Sequence, residues 1–295
     1  MAALDELSRR ITAAGDLQSV VRTMKATSAA NIRLHEQAER AMREHLATVE
    51  MGLQVVLRNL PRGTLAPAGD VAGAPVAVVV IGSEIGLCGA FNERLVQFAQ
   101  DRLAVEGIAP AARHVLTIGS TLATSWEAAA GPAQARIEAP ATIGALAQCV
   151  AGVISLLDRW RESEGIARIV LFCQRSGTSL AAAPEQVQLL PLDPDWLEAL
   201  RLIPWPSRRI PRGFGAPDAL LGSLVRQLLF ARLHLALIQS RAAEQVERLV
   251  AMQSADRSIA DKLVEMQGQY RLWRQDAISA ELLDLIAGYQ AATDG

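Results

Sequence analysis

The feature that most constrains this chain is a proline-free stretch near its C-terminal end, residues 218–292. Apolar side chains recur through it at spacings of three and four, the period of one face of an α-helix. They are Leu221, Leu224, Leu228, Leu235, Ile238, Ala242, Val246, Leu249, Met252, Ile259, Leu263, Met266, Tyr270, Trp273, Ile278, Leu282, Leu285 and Ile286. At about 1.5 Å per residue such a helix is roughly 110 Å long. Helical propensity alone does not hold it in water, so it requires a partner along most of its length.

A second long helix is predicted at the other end of the chain, where residues 3–60 contain no proline and Pro61 ends the segment. Two such helices can pair as an antiparallel coiled coil. The C-terminal helix is the longer by about twenty residues, so roughly 30 Å of it is expected to extend beyond its partner. That end needs a further surface to contact.

Between the helices the apolar pattern changes to that of an α/β domain. Strands are predicted at 76–81, 114–118 and 168–173, with an edge strand at 187–190, and helices at 91–106, 121–130 and 143–162. This alternation favours a small, layered, Rossmann-like domain with a largely parallel sheet, connected by proline-rich loops at 61–75 and 204–217. The predicted fold class is therefore α/β, with two long terminal helices forming an antiparallel coiled coil around an inserted α/β domain. The helices occupy 1–60 and 212–292, and the domain occupies 75–205.

Composition excludes some classes of function. A formal net charge of −2 provides no long-range attraction for nucleic acid, so no nucleic-acid partner is expected. The three cysteines form no CxxC pair, and we interpret them as buried free thiols. The four histidines lack the spacing of metal ligands, so neither a metal nor a cofactor is expected. The N-terminus has no signal-peptide pattern, and no apolar segment is expected to reach the length of about 18 residues that a membrane span needs.

The glycine-bearing loop 82–89 follows the first predicted strand, as a phosphate-binding loop does. It matches neither G-x-G-x-x-G nor the G-K-[ST] of a P-loop, so we interpret its glycines as a tight turn that packs the strand on a helix. Cys88 in this loop has no histidine near it in sequence to act as a base, and we interpret it as a packed thiol. A nucleotide-binding α/β enzyme remains an alternative, as does a coiled-coil tether.

Trp273, Arg274 and Gln275 on the C-terminal helix are candidates for partner contact. A large aromatic side chain followed by an arginine and an amide can hold a loop of another protein by directed hydrogen bonds. An ordinary exposed helical face is the competing interpretation of the same three residues.

Three separated motifs together resemble the gamma subunit of F-type ATP synthases. The run Val20–Asn31 looks like that family's T-K-A-M-K-M-V-S-A-A-K segment, and Gly86–Asn92 is similar to its G-L-C-G-G-F-N signature. The C-terminal run from Ser240 to Gly288 follows the family without an apparent gap. The sequence departs from the family at several positions: Glu84 and Ile85 replace the usual Asp-Arg, and Asp256 replaces a threonine.

The resemblance implies a mechanical subunit without a catalytic residue of its own, peripheral on the cytoplasmic face of a bacterial inner membrane. Its implied partners are three alpha and three beta subunits, an epsilon subunit and the ring of c subunits. Arg274 and Gln275 fall on the family's catch, which hydrogen-bonds a beta-subunit loop, and Met24 lies near the beta subunit's lever. The expected tip in the alpha-beta sleeve consists of Ile278, Leu282, Leu285 and Ile286.

Overall fold

The computed structural model describes residues 2–60, 74–176, 182–209, 211 and 213–293. Its helices and strands, in chain order, are α1 (Ala2–Asn59), β1 (Val76–Ile81), α2 (Phe91–Val105), β2 (Arg113–Ile118), α3 (Ser120–Ala130), β3 (Ala135–Ile137), α4 (Ile143–Glu164), β4 (Arg168–Ser176), β5 (Ala182–Leu190), α5 (Pro194–Leu202) and α6 (Pro217–Thr293). They form two compact units, a smaller unit of Met1–Ser28 with Leu249–Gly295 and a larger unit of Ala29–Arg248. The helices α1 and α6 contribute to both.

A five-stranded sheet forms the centre of the larger unit, in the order β3-β2-β1-β4-β5. The first four strands are parallel, and β5 pairs antiparallel with β4 at one edge. All six residues of β1 are buried, because a central parallel strand is covered on both faces. This explains why β1 reads as an unbroken β-branched run and not as an alternation.

Alternate residues of β1 face two separate cores. Ala77, Val79 and Ile81 pack with residues of α4 and α6, whereas Val76, Val78 and Val80 pack with α2 and α3. Trp126 of α3 is almost fully buried in the second core. The sheet is thus held between two helical layers, as the alternating pattern predicts.

Within the larger unit, α1 and α6 run antiparallel. Glu39 accepts a hydrogen bond from Gln239, and Gly52 lies against Leu224, so positions that rise along α1 meet positions that fall along α6. Apolar residues of α5 complete this core beside Leu53 and Leu228. The predicted fold class, long terminal helices with an inserted α/β domain, is confirmed.

Two elements escaped the sequence analysis. The strand β3 has only three residues, too few for a periodic signal, and pairs in parallel with β2. The helix α5 starts at a local cap, where Asp193 accepts a hydrogen bond from the backbone N–H of Asp195, and not at an apolar repeat. The edge strand is also longer than predicted, since β5 begins at Ala182 and crosses Pro184. Residues 61–73 of one predicted loop and 210 and 212 of the other lie outside the described residues.

By length and composition alone, α4 and the Pro217–Ile286 part of α6 are apolar enough to cross a membrane. The expectation that no segment reaches this threshold was therefore wrong. This is weak evidence for a span, because a core helix passes the same test. The buried residues of α4, Leu146, Val150, Val153 and Leu157, belong to the core beneath the sheet.

Candidate partner-binding surface

The smaller unit exposes a long apolar surface at the end of α6. We call residues 272–286 the α6 tip. Its exposed apolar side chains are Leu272, Trp273, Ile278, Leu282, Leu283, Leu285 and Ile286, with exposed fractions between 45 and 70 %. Single exposed apolar residues are ordinary, but a contiguous set of this size marks a surface that another molecule covers.

The tip lies mostly beyond the start of α1. In the smaller unit Asp256 of α6 contacts Gln18, Arg22 and Lys25 of α1. With the helices antiparallel, the twenty residues from Arg22 back to Ala2 correspond to the twenty that follow Asp256. From about residue 277 onwards, α6 therefore continues for some 17 residues, roughly 25 Å, without α1 beside it. The predicted extension of one helix past the other is present in this unit.

Arg274 and Gln275 are exposed on the tip, just before this extension. Among the described residues neither side chain has a hydrogen-bond or ion-pair partner. A free guanidinium beside a free amide provides several donors and one acceptor for a partner's loop. Exposure alone does not separate a binding residue from an ordinary surface residue, so their roles stay predictions.

Met24 lies in a different place from the tip. It is half-buried on α1, near the level of Asp256, so about twenty residues or 30 Å of helix separate it from Arg274. The structure therefore does not bring the seven predicted contact residues into one site. It distributes them along the smaller unit as two patches, one around Met24 and one on the α6 tip.

In the larger unit, the loop after β1 places a carboxylate at the start of α3. The carboxylate of Glu84 accepts hydrogen bonds from the backbone N–H of Ser120 at 3.0 Å, from the Ser120 hydroxyl at 2.5 Å and from the N–H of Ala139 at 2.8 Å. Burial disfavours the charged form, but these bonds outweigh it and hold the pKa of Glu84 below its ordinary value. The side chain of Glu84 therefore occupies the N-terminal end of α3, the helix that follows β2.

Close packing explains the first glycine of this loop, Gly82, whereas Gly86 and Gly89 have no atom within 4 Å of an added Cβ. A Cβ on Gly82 would lie 2.7 Å from Asn92 and from Leu122, so the strand end packs directly on helices. This agrees with the interpretation of Gly82 as a packing residue. Cys88 is buried and donates to the Ser83 hydroxyl at 3.6 Å, and burial raises the pKa of its thiol, as a packed thiol requires. Burial likewise raises the pKa of Cys173 to about 12, whereas Cys149 is only half-buried, contrary to expectation.

A buried cluster of charged side chains on α6 contacts the same loop. Glu244 accepts hydrogen bonds from Arg241 at 2.8 Å and from Arg248 at 2.6 Å, and its side chain is 1 % exposed. Arg248 also donates to the backbone carbonyl of Ile85 at 2.8 Å. The burial of Glu244 and Arg248 is not predictable from the sequence pattern, because helical periodicity does not distinguish a buried charge from a solvated one.

The described residues of the larger unit line open grooves, two of which are defined by their linings. One, of about 520 Å³, lies between α4 and α6 and is lined by residues that include Ile154, Asp158, Arg226 and Phe230. The other, about 510 Å³, lies at the starts of β1 and β4, beside the Glu106–Arg168 ion pair. Among the residues that the structure describes, no three His, Cys, Asp or Glu side chains come together as metal ligands.

Comparison with known proteins gives a consistent result. The family model described as ATP synthase matches residues 3–292. A curated relative, the ATP synthase gamma chain of Fuscovulum blasticum, is 26 % identical over 312 residues, and the match covers 99 % of this chain and all of the relative.

Solved structures share the fold. The rotor of the Euglena gracilis mitochondrial ATP synthase, in rotational state 1, contains a chain matched with a TM-score of 0.66 at 15 % identity; the match covers 94 % of this chain and 99 % of that one. The central stalk and c-ring structure of the Tetrahymena thermophila mitochondrial ATP synthase contains another, with a TM-score of 0.59 at 18 % identity, over 80 % of this chain and 99 % of that one. At these identities the two matches show a shared fold and nothing more.

Proposed function

This chain belongs to the ATP synthase family, as the gamma subunit of the central stalk, and from that premise we propose that it couples ion flow through a membrane sector to ATP synthesis or hydrolysis by turning inside a ring of catalytic subunits. The chain is a component of the enzyme complex. We assign it no catalytic residue of its own, because its role is to change the conformation of sites that lie on other subunits.

The partners that we assign are three alpha and three beta subunits of the catalytic head, an epsilon subunit and a ring of c subunits. The similar Euglena and Tetrahymena structures support this assignment, since they are structures of the rotor, of F1 and of the c-ring. A peripheral position on the membrane sector follows from these partners. We place the chain on the cytoplasmic face of a bacterial inner membrane, in line with its relative in Fuscovulum blasticum.

The observation that carries the proposal is the α6 tip. A helix that continues past its partner with exposed Ile278, Leu282, Leu285 and Ile286 needs an enclosing apolar surface. A sleeve formed by the alpha and beta subunits would remove these side chains from water. Because apolar contacts are non-directional, such a sleeve holds the helix and still allows it to turn.

A single helical shaft also accounts for sequential action. One asymmetric shaft inside a threefold ring presents a different face to each catalytic site, and turning the shaft exchanges those faces. Coupling of this kind requires contacts that differ between the conformations of the ring. We therefore propose that the helices predicted in 1–60 and 212–292 form the shaft, and that the α/β domain predicted in 75–205 contacts the epsilon subunit and the membrane sector.

Directed contacts that form only at particular rotation angles of the shaft would provide the contacts that differ between conformations of the ring. We propose that Arg274 and Gln275 donate hydrogen bonds to a beta-subunit loop, and that Met24 contacts the beta subunit's lever. Free donors on the exposed face of α6 support the first role. A flexible, half-buried thioether on α1 supports the second, because methionine adapts to a surface that changes shape.

The double variant Arg274→Ala, Gln275→Ala is expected to lower the ATP turnover number of the assembled complex by about tenfold, since a charge-assisted hydrogen bond contributes roughly 1.5 to 3 kcal/mol. The KM for ATP is expected to stay the same, because the nucleotide sites lie on other subunits. The measurement is steady-state ATP hydrolysis by the complex purified through a tag on this chain.

The matched control is Gln269→Ala with Arg271→Ala, which removes the same two side-chain types from exposed positions on the same helix. It is expected to hydrolyse ATP at the parent rate. If both double variants turned over equally, Arg274 and Gln275 would be ordinary surface residues.

A further inference from the structure

One carboxylate of α6 in the smaller unit accepts hydrogen bonds from three side chains of α1. Asp256 Oδ1 accepts hydrogen bonds from Gln18 Nε2 and Arg22 Nε, both at 3.1 Å, and Oδ2 accepts from Lys25 Nζ at 3.0 Å. The carboxylate side chain is only 17 % exposed, whereas Arg22 is 61 % and Lys25 36 % exposed. We call Asp256 with these three partners the Asp256 clasp.

The clasp contains the two cations nearest to Met24 in the sequence. Arg22 and Lys25 stand on either side of Met24 in sequence, so both cations flank the residue to which we assign a partner contact. Each donates across the helix pair to Asp256, and Arg22 keeps the larger part of its side chain exposed. The hydrogen bond from Lys25, followed by those from Arg22 and Gln18, holds the pKa of Asp256 below its ordinary value, so the carboxylate is charged at neutral pH.

We propose that Asp256 is a positioning residue that keeps Arg22 and Lys25 from pairing with carboxylates on the surrounding subunits while the shaft turns. The inference rests on the proposed function. A long, flexible ammonium or guanidinium side chain freed next to Met24 would reach acidic groups on each subunit that passes. Every such ion pair would have to break before the shaft could advance, which would slow each step.

The test is the variant Asp256→Asn in the assembled complex, which retains the size of the side chain and removes its charge. Turnover of ATP is expected to fall roughly fivefold at low salt. The freed Arg22 and Lys25 would each form a weak, exposed ion pair with another subunit, and the two factors by which these pairs slow turnover multiply. Raising the KCl concentration is expected to restore much of the rate, since salt screens exposed ion pairs. The KM for ATP is expected to stay constant.

A rescue experiment separates this role from a merely structural one. Adding Arg22→Gln and Lys25→Gln to Asp256→Asn removes the freed cations and is expected to return turnover to the parent value. If the clasp only held the two helices together, the triple variant would stay slow and salt would not help. The matched control, Asp261→Asn, changes an exposed aspartate on the same helix and is expected to have no effect.

The possible outcomes are distinct. Parent-like turnover of Asp256→Asn at low salt, or a slow triple variant, overturns the inference and leaves the proposed function standing. Failure of the parent chain to assemble with catalytic subunits overturns the proposed function and, with it, this inference. The inference is established if turnover of Asp256→Asn is slow and is restored by salt, and if turnover of the triple variant equals that of the parent.

Discussion

Replacing Glu244 by alanine is expected to lower the free energy of unfolding of this chain by about 3 to 5 kcal/mol, the usual cost of removing one partner from a buried ion pair. The side chain of Glu244 is 1 % exposed, and those of Arg241 and Arg248 are 11 % and 9 % exposed. Its loss leaves two guanidinium groups in the interior without a counter-charge. It also loosens Arg248, which donates to the carbonyl of Ile85 and fastens the loop after β1.

Urea unfolding of the full-length chain, followed by circular dichroism, measures this change. Glu36→Ala is the control, because Glu36 is exposed on α1 of the same unit and is expected to change the free energy of unfolding by less than about 0.5 kcal/mol. A loss below 1 kcal/mol for Glu244→Ala would mean that water reaches the cluster and that the pairing contributes little.

Replacing Gly119 by alanine is expected to destabilise the chain by about 3 kcal/mol, through backbone strain combined with overpacking. Gly119 has a φ of +113°, a conformation that L side chains rarely adopt. A Cβ there would also lie 2.6 Å from the backbone oxygen of Ser83. Because the obstacle is backbone and not a flexible side-chain end, the ends of β1 and β2 would have to separate.

The same substitution at Gly152 is expected to act in the opposite direction. Gly152 lies within α4, is exposed and has no atom within 4 Å of an added Cβ, so alanine is expected to add up to about 1 kcal/mol through its helix propensity. Thermal unfolding of the two variants in one buffer measures both changes. Equal shifts at the two positions would contradict the close approach at Gly119.

The parts of the fold that sequence predicts are those with a long, uniform signal. Both terminal helices combine a 3.6-residue period with the absence of proline, and α1 and α6 begin and end within a few residues of expectation. The buried strands β1 and β4 are marked by β-branched runs. The strand β3 and the helix α5 are set by pairing with β2 and by the Asp193 cap, which are local or tertiary features that a periodic pattern does not contain.

Of the candidate sites, the sequence likewise predicts those on a periodic helical face and not those formed by tertiary contacts. Sequence places Arg274 and Gln275 on a helical face, and the structure finds them exposed, yet exposure is what both the binding interpretation and the ordinary-surface interpretation require. The Asp256 clasp escaped prediction because Arg22 is 234 residues from Asp256. The charged partners of Glu244 lie within four residues of it, but helical periodicity does not show that they are buried, and their contact with Ile85, 163 residues from Arg248, is tertiary. Only the pairing of α1 with α6 and the packing of the β1 loop bring them together.

The mass of the intact complex, isolated gently through a tag on this chain from its own host and measured by native mass spectrometry, tests the central claim most directly. One copy of this chain is expected with three alpha-like and three beta-like subunits, in a preparation that hydrolyses ATP. A chain that emerges alone or as a homodimer, without ATPase activity, would contradict the shaft assignment and favour a coiled-coil tether.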